Sequence, residues 1–135
     1  MLDYEFSVLM KLYLFGRKLH ALVKKHNSDI MSQVILLRLV SLKRQSVSEI
    51  AQIMSIKVSA ATEKIHVLEH MGFLRQAESG GDKRSHMIDI TEKGKQELMR
   101  IKQSMSHKSG GLTIGISEAE AEVLSHLLDR IRLEI

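Results

Sequence analysis

Apolar positions recur at helical spacing along most of the chain, and only one short region switches to strict alternation. Residues 4–25, "YEFSVLMKLYLFGRKLHALVKK", predict a long first helix. Its apolar positions Phe6, Leu9, Met10, Tyr13, Leu14, Leu19, Leu22 and Val23 cover a stripe too wide for one neighbour. After "HNSDI", with Ser28 or Asp29 as the cap, residues 30–40 predict a buried second helix through Met31, Val34, Ile35 and Leu37. Ser48 is expected to cap "EIAQIM", whose Ile50, Ala51 and Met54 face inward, and a further helix is expected from about Ser59 to Met71. "FLRQA" and "HMIDI" alternate on either side of "ESGGDKRS", which predicts a two-stranded hairpin. Thr91 caps "EKGKQELMRIKQSM", which runs to the Gly-Gly break at 110–111. Ser117 and Glu120 form a capping box for "EAEAEVLSHLLDRIRLEI".

Composition narrows this picture. With 135 residues, 44% hydrophobic and 27% charged, the chain has the size and make-up of one ordered domain. The absence of proline agrees with unbroken helices, and no apolar stretch is long enough to span a bilayer, so no membrane partner is expected. The acidic start "MLDYEF" lacks the basic segment of a secretory signal, and a cytoplasmic location is the expectation. Without cysteine there is no disulfide, thiolate metal site or thiol switch. The net charge of +4 is uneven. Residues 1–46 hold eight Lys/Arg against three Asp/Glu, whereas residues 117–135 hold two against five, a hint of an anionic partner kept from one end. No nucleophile elbow, phosphate loop or metal cluster is present in the sequence, so neither an enzyme nor a cofactor is expected. His66 and His70, at i and i+4, read as surface histidines and not as a metal pair; the eight methionines read as core filler.

On a wheel for the helix from Ser59, Ala61, Ile65, Leu68 and Gly72 form one narrow buried stripe. Ser59, Glu63, His66 and His70 lie opposite, flanked by Ala60, Thr62 and Val67. A tight break followed by a helix with small, hydrogen-bonding side chains on its free face suits entry into a DNA major groove.

In order and spacing, "SEIAQ", "LEHMGFL", "DKR" and "ITEKG" resemble the winged helix-turn-helix core of the MarR family of transcription regulators, and the flanking helices extend the likeness to nearly the whole chain. The resemblance implies a mostly α fold with a small β-hairpin wing: dimerisation helices at 1–27 and 96–135 around a core at 28–95, with the helix-turn-helix at about 47–71 and the wing at about 73–90. It also implies a homodimer that binds a pseudo-palindromic operator in double-stranded DNA, as a repressor, and is released by a small-molecule effector that the sequence does not name. The DNA-binding set expected on this basis is Lys57, Ser59, Ala60, Thr62, Glu63 and His66 from the helix-turn-helix, with Asp82, Lys83 and Arg84 from the wing tip. There Asp82 would orient Arg84 for the minor groove and Lys83 would meet a phosphate. Three departures stand out: Ser55 where such turns often carry glycine, Lys57 where Ser or Thr commonly caps (leaving Ser59 as the cap), and Glu63 where a basic residue is common. The alternative reading is a winged-helix adaptor for protein or RNA, without operator binding.

Overall fold

The computed structural model describes residues 1–25, 28–77, 86–107 and 115–132. Among these, six helices and one three-stranded sheet follow in the order α1 (Asp3–Lys25), α2 (Ser28–Leu42), β1 (Gln45–Ser46), α3 (Val47–Met54), α4 (Val58–His70), β2 (Leu74–Ala77), β3 (Met87–Ile90), α5 (Glu92–His107) and α6 (Glu118–Arg130). The fold is a winged helix-turn-helix, mostly α with a small antiparallel sheet.

The core is a single cluster: Leu36, Leu37 and Val40 of α2, Ile50 of α3, Ile65 and Leu68 of α4, Leu74 of β2, and Ile88 and Ile90 of β3. Val47, Met54, Phe73 and Leu98 close its edges. The inward set expected for α3 agrees, with Ile50 and Ala51 buried and Met54 half-buried. In α2 the register differs. Ile35 is exposed, Met31 and Val34 are half-buried, and Leu36, Leu37 and Val40 are the core residues. This helix is apolar on nearly every side, so periodicity alone could not tell which side faces in. It also begins earlier than expected, so Ser28 and Asp29 lie within it and not ahead of it.

The sheet is larger than the expected hairpin. β1 pairs antiparallel with β3 (Gln45 opposite Ile88, Ser46 opposite Met87), and β3 pairs with β2, giving the order β1-β3-β2. Two residues are too short a run to show an alternating pattern, which is why β1 escapes sequence reading. Gln45, on this strand, is the one polar residue of the buried set among the described residues, and its Nε2 donates to the Leu39 carbonyl (2.8 Å), closing the end of α2.

Three helix starts follow side-chain caps. Ser46, not Ser48, is the N-cap of α3: its Oγ accepts from the Glu49 backbone N–H (3.2 Å), and the Glu49 carboxylate accepts in return from the Ser46 N–H. Ser117 and Glu120 form the same reciprocal box at α6. Thr91 caps α5 by accepting from the Gly94 N–H (3.0 Å). α6 stops at Arg130, with extended backbone at Ile131, earlier than the apolar pattern suggests.

The start of α5 also locks the end of α4. The Thr91 hydroxyl donates to the Gly72 carbonyl (2.5 Å), and Lys93 Nζ donates to the Met71 carbonyl (2.9 Å) while lying 5.4 Å from the centre of the Phe73 ring. Gly94 packs so closely that a Cβ there would lie 2.2 Å from the Phe73 carbonyl oxygen and 2.7 Å from Ile90 Cγ1. Because backbone cannot step aside as a side chain can, Gly94→Ala should destabilise the protein by about 3 kcal/mol. Urea unfolding of the two proteins checks this, and equal midpoints would refute it.

Candidate nucleic-acid interface

α3 and α4 are joined by a turn whose geometry is set by backbone hydrogen bonds. The Ser55 N–H reaches the Gln52 carbonyl (3.2 Å) and the Ile56 N–H the Ala51 carbonyl (3.0 Å), the paired bonds of a Schellman closure. That closure requires a left-handed residue, and Ser55 takes it at φ 54°, ψ 46°. A non-glycine residue there carries about 1 kcal/mol of strain. Ala51 and Ala61, both fully buried, let the two helices cross closely on the inner side of this turn.

α4 begins at Val58, and its N-cap is Lys57, which makes no side-chain capping bond. Ser59, expected as the cap, is already inside the helix, so its hydroxyl lies on the exposed face. The first-turn N–H groups thus have no side-chain acceptor, and the exposed Lys57 stands beside them, an arrangement suited to an anion. Along the helix Ala61, Ile65 and Leu68 are buried, while Ser59, Glu63, His66, Val67 and His70 are exposed and Ala60 and Thr62 are half-buried. The structure therefore brings Lys57, Ser59, Ala60, Thr62, Glu63 and His66 together on one accessible surface. Thr62 is altered in one respect: its hydroxyl donates to the Val58 carbonyl (2.9 Å), leaving its methyl and an acceptor lone pair for other contacts. His66 and His70 share that surface, and no group of three or more metal-ligating side chains exists among the described residues. Asp82, Lys83 and Arg84 lie outside the described residues.

One charged feature escaped sequence reading. Asp89, between the buried Ile88 and Ile90, points to the outer face of the sheet. There its Oδ2 lies 3.3 Å from Arg44 Nε and 3.3 Å from Arg75 Nη2, while its Oδ1 accepts from the Ile90 N–H (2.9 Å). Arg75 is opposite Asp89 in the strand register, and Arg44 reaches over from the turn before β1. The row carries a net positive charge with both guanidinium groups more than half exposed. Its signal in the sequence was a strand register that depends on β1, the strand that could not be read.

Comparison with known proteins follows this geometry closely. Residues 31–86, from within α2 to just before β3, match the MarR family model. The transcriptional regulator Hpr of Bacillus mycoides is 31% identical over 96 residues, 71% of this chain and 52% of the relative. The winged helix-turn-helix core of this chain matches that of the MarR family. The chain spans about half the length of the curated relatives it matches. Among solved structures, the transcriptional regulator BldR from Sulfolobus solfataricus superposes with a TM-score of 0.74 at 21% identity, covering 97% of this chain and all of that one. The multiple antibiotic resistance repressor MarR gives 0.66 at 18% identity, covering 90% and 91% of the two chains. At these identities the structural matches speak for the fold.

Burial raises the pKa of Asp89, but the Arg75 hydrogen bond, the Ile90 N–H and the charges of Arg44 and Arg75 outweigh it, and the net shift is below the ordinary value of 3.8. A carboxyl held low in the folded state contributes stability above its unfolded pKa and loses that contribution as pH falls through the folded value. Asp89→Asn should therefore be less stable than the parent at pH 7, with the gap narrowing once the pH drops below about 4. The effect should be modest, because both arginines are open to solvent, and should shrink with salt. Urea midpoints at neutral and acid pH test it; a gap independent of pH would remove Asp89 from the acid limb.

Proposed function

We propose that the protein is a DNA-binding transcription regulator that acts as a homodimer. The observation that carries this reading is the α4 surface: an unobstructed helix face behind a closed tight turn, entered beside Lys57, in a core that matches the MarR family. In this reading α4 enters the major groove, with Lys57, Ser59, Ala60, Thr62, Glu63 and His66 meeting bases and nearby phosphates. In the same reading Arg84, oriented by Asp82, would enter the adjacent minor groove and Lys83 would meet a phosphate.

Residues 1–27 and 96–135 serve as the dimerisation helices around the core at 28–95. Supporting this, α1 leaves Phe6, Tyr13, Leu14 and Phe15 exposed (Phe15 at 63%), and only Leu9 and Leu12 of its described side chains are half-buried. α6 exposes Val123, Leu124, Leu127 and Leu128, with only Ala121 half-buried, and Ile131 just past its end is exposed too. So much contiguous apolar surface is rare on a monomer in water. A second copy with two-fold symmetry would cover both helices and set two α4 helices about 34 Å apart, for a pseudo-palindromic operator. Repression is the proposed regulatory sense, with release by a small molecule. No described helix is long and apolar enough to cross a membrane. Glu63 on the free face favours one other reading, a winged-helix adaptor for protein or RNA.

Sedimentation of the parent at micromolar concentration should give the dimer mass; a monomer would end the dimer reading. Gel shifts on genomic fragments from around its own gene should yield a specific complex, whereas the adaptor reading expects none. On that fragment Lys57→Ala should weaken binding and reduce the salt slope by about one contact per protomer. An unchanged slope would take Lys57 off the phosphate backbone.

A further inference from the structure

We propose that α4 reads each half-site chiefly through a hydrogen bond from a cytosine amino group to Glu63, with a thymine methyl beside it, and that this helix carries no bidentate guanine reader. The inference rests on the DNA-binding reading of α4 and concerns which bases it selects.

The argument is an inventory of what the free face offers. Bidentate guanine reading needs Arg or Lys aimed at O6 and N7, and bidentate adenine reading needs Asn or Gln. None of these stands among the exposed side chains of α4, which are Val58, Ser59, Glu63, His66, Val67 and His70, with Ala60 and Thr62 half-buried at the flanks. Lys64 is half-buried on the flank toward the protein body, and Lys57 precedes the helix. Glu63 is central to this face and is an acceptor only. Guanine N7 and O6 and thymine O4 would confront its carboxylate with lone pairs, so Glu63 disfavours both bases. Adenine offers an N6 donor but sets the N7 acceptor next to it, against the second carboxylate oxygen. Cytosine offers the N4 donor with only a C–H beside it. One residue thus favours one base of four.

The neighbouring groups are methyls. Thr62 has committed its hydroxyl proton to the Val58 carbonyl at 2.9 Å, so it meets a base edge with its methyl. On the other flank Ala60 is half-buried and Val67 is 48% exposed, and both are purely apolar. The apolar feature of the major groove is the thymine methyl, so these positions favour thymine next to the selected cytosine.

The experiment is selection of bound duplexes from a pool with a randomised central segment, by the parent and by Glu63→Gln, followed by affinity measurements on the enriched duplex. The parent should enrich one cytosine in each half-site. Glu63→Gln, which adds a donor beside the acceptor, should move that position to adenine, changing the ratio of affinities for the two bases by roughly five- to a hundredfold. Replacing the adjacent thymine by deoxyuridine, which removes only the methyl, should weaken the parent several-fold; it leaves the protein unchanged, so a misfolded variant cannot mimic the result. Enrichment of a motif whose preferences are the same for parent and Glu63→Gln would overturn the inference while leaving DNA binding intact. So would a guanine-keyed half-site that disappears in Lys57→Ala. No enrichment by the parent would sink the DNA-binding reading, and this inference with it.

Discussion

The orientation of α4 depends on a contact between two segments about twenty residues apart, the 70–73 corner "HMGF" and the 91–94 start "TEKG". Gly72 adopts φ 82° to end α4, and its carbonyl, with that of Met71, is taken up by Thr91 and Lys93. The Thr91 hydroxyl works in both directions, donating to Gly72 and accepting from Gly94. Gly94 must lack a side chain because the Phe73 carbonyl occupies that space. With α4 and α5 fastened at this point, Leu74 is set opposite Ile90 and the register of the wing follows. Residue 88 and residue 90 then face the core while residue 89 faces out. A slip of one position would bury Asp89 and expose two isoleucines, so the clasp and the core specify the same register.

Much of this was legible in the chain itself, and the parts that were not have physical reasons. The inward set of α4 was readable because Ala61, Ile65 and Leu68 form one narrow stripe bounded by polar residues. α2 offers no such boundary, so Ile35 was placed inside and Leu36 was overlooked. Ser46 and Ser48 both precede the α3 pattern, and only Ser46 has a glutamate three residues on to return the hydrogen bond. That spacing was visible and outranks mere proximity to the first apolar residue. The strand β1 and the Arg44–Asp89–Arg75 row were not readable, since both depend on pairing between distant segments. For the site, the helical face was legible from spacing. The commitment of the Thr62 hydroxyl and the left-handed Ser55 needed coordinates.

The terminal helices pose a different constraint. α6 is capped well at Ser117, yet none of its described side chains is buried. Its apolar residues Val123, Leu124, Leu127 and Leu128 line an open groove with Ile116 and Ala119, or border it, and all four are exposed. A helix of this length gains little from propensity and capping alone, and normally owes its stability to a packed apolar face. Partner contact in the proposed dimer would supply that face, which couples folding of the termini to assembly. The winged-helix core has no such need, because its own cluster from Leu36 to Ile90 is closed.

Charge is distributed in a way that separates positioning from reading. Several exposed cations of the winged helix stand off the exposed face of α4: Lys57 ahead of the helix, and Arg44 and Arg75 on the outer face of the sheet. The exposed face of α4 holds one carboxylate, hydroxyl and imidazole groups, and methyls. Phosphate contacts fix register and orientation on a duplex without carrying sequence information, while base-edge contacts carry it. Under the proposed function, affinity would come mainly from the periphery and selectivity from the centre. A carboxylate at the centre lowers non-specific attraction to phosphate everywhere and loses nothing where a base donor meets it. With a net charge of only +4, the protein would discriminate against random DNA partly by binding it poorly. Specificity of that kind arises from repulsion at the wrong sites as much as from attraction at the right one.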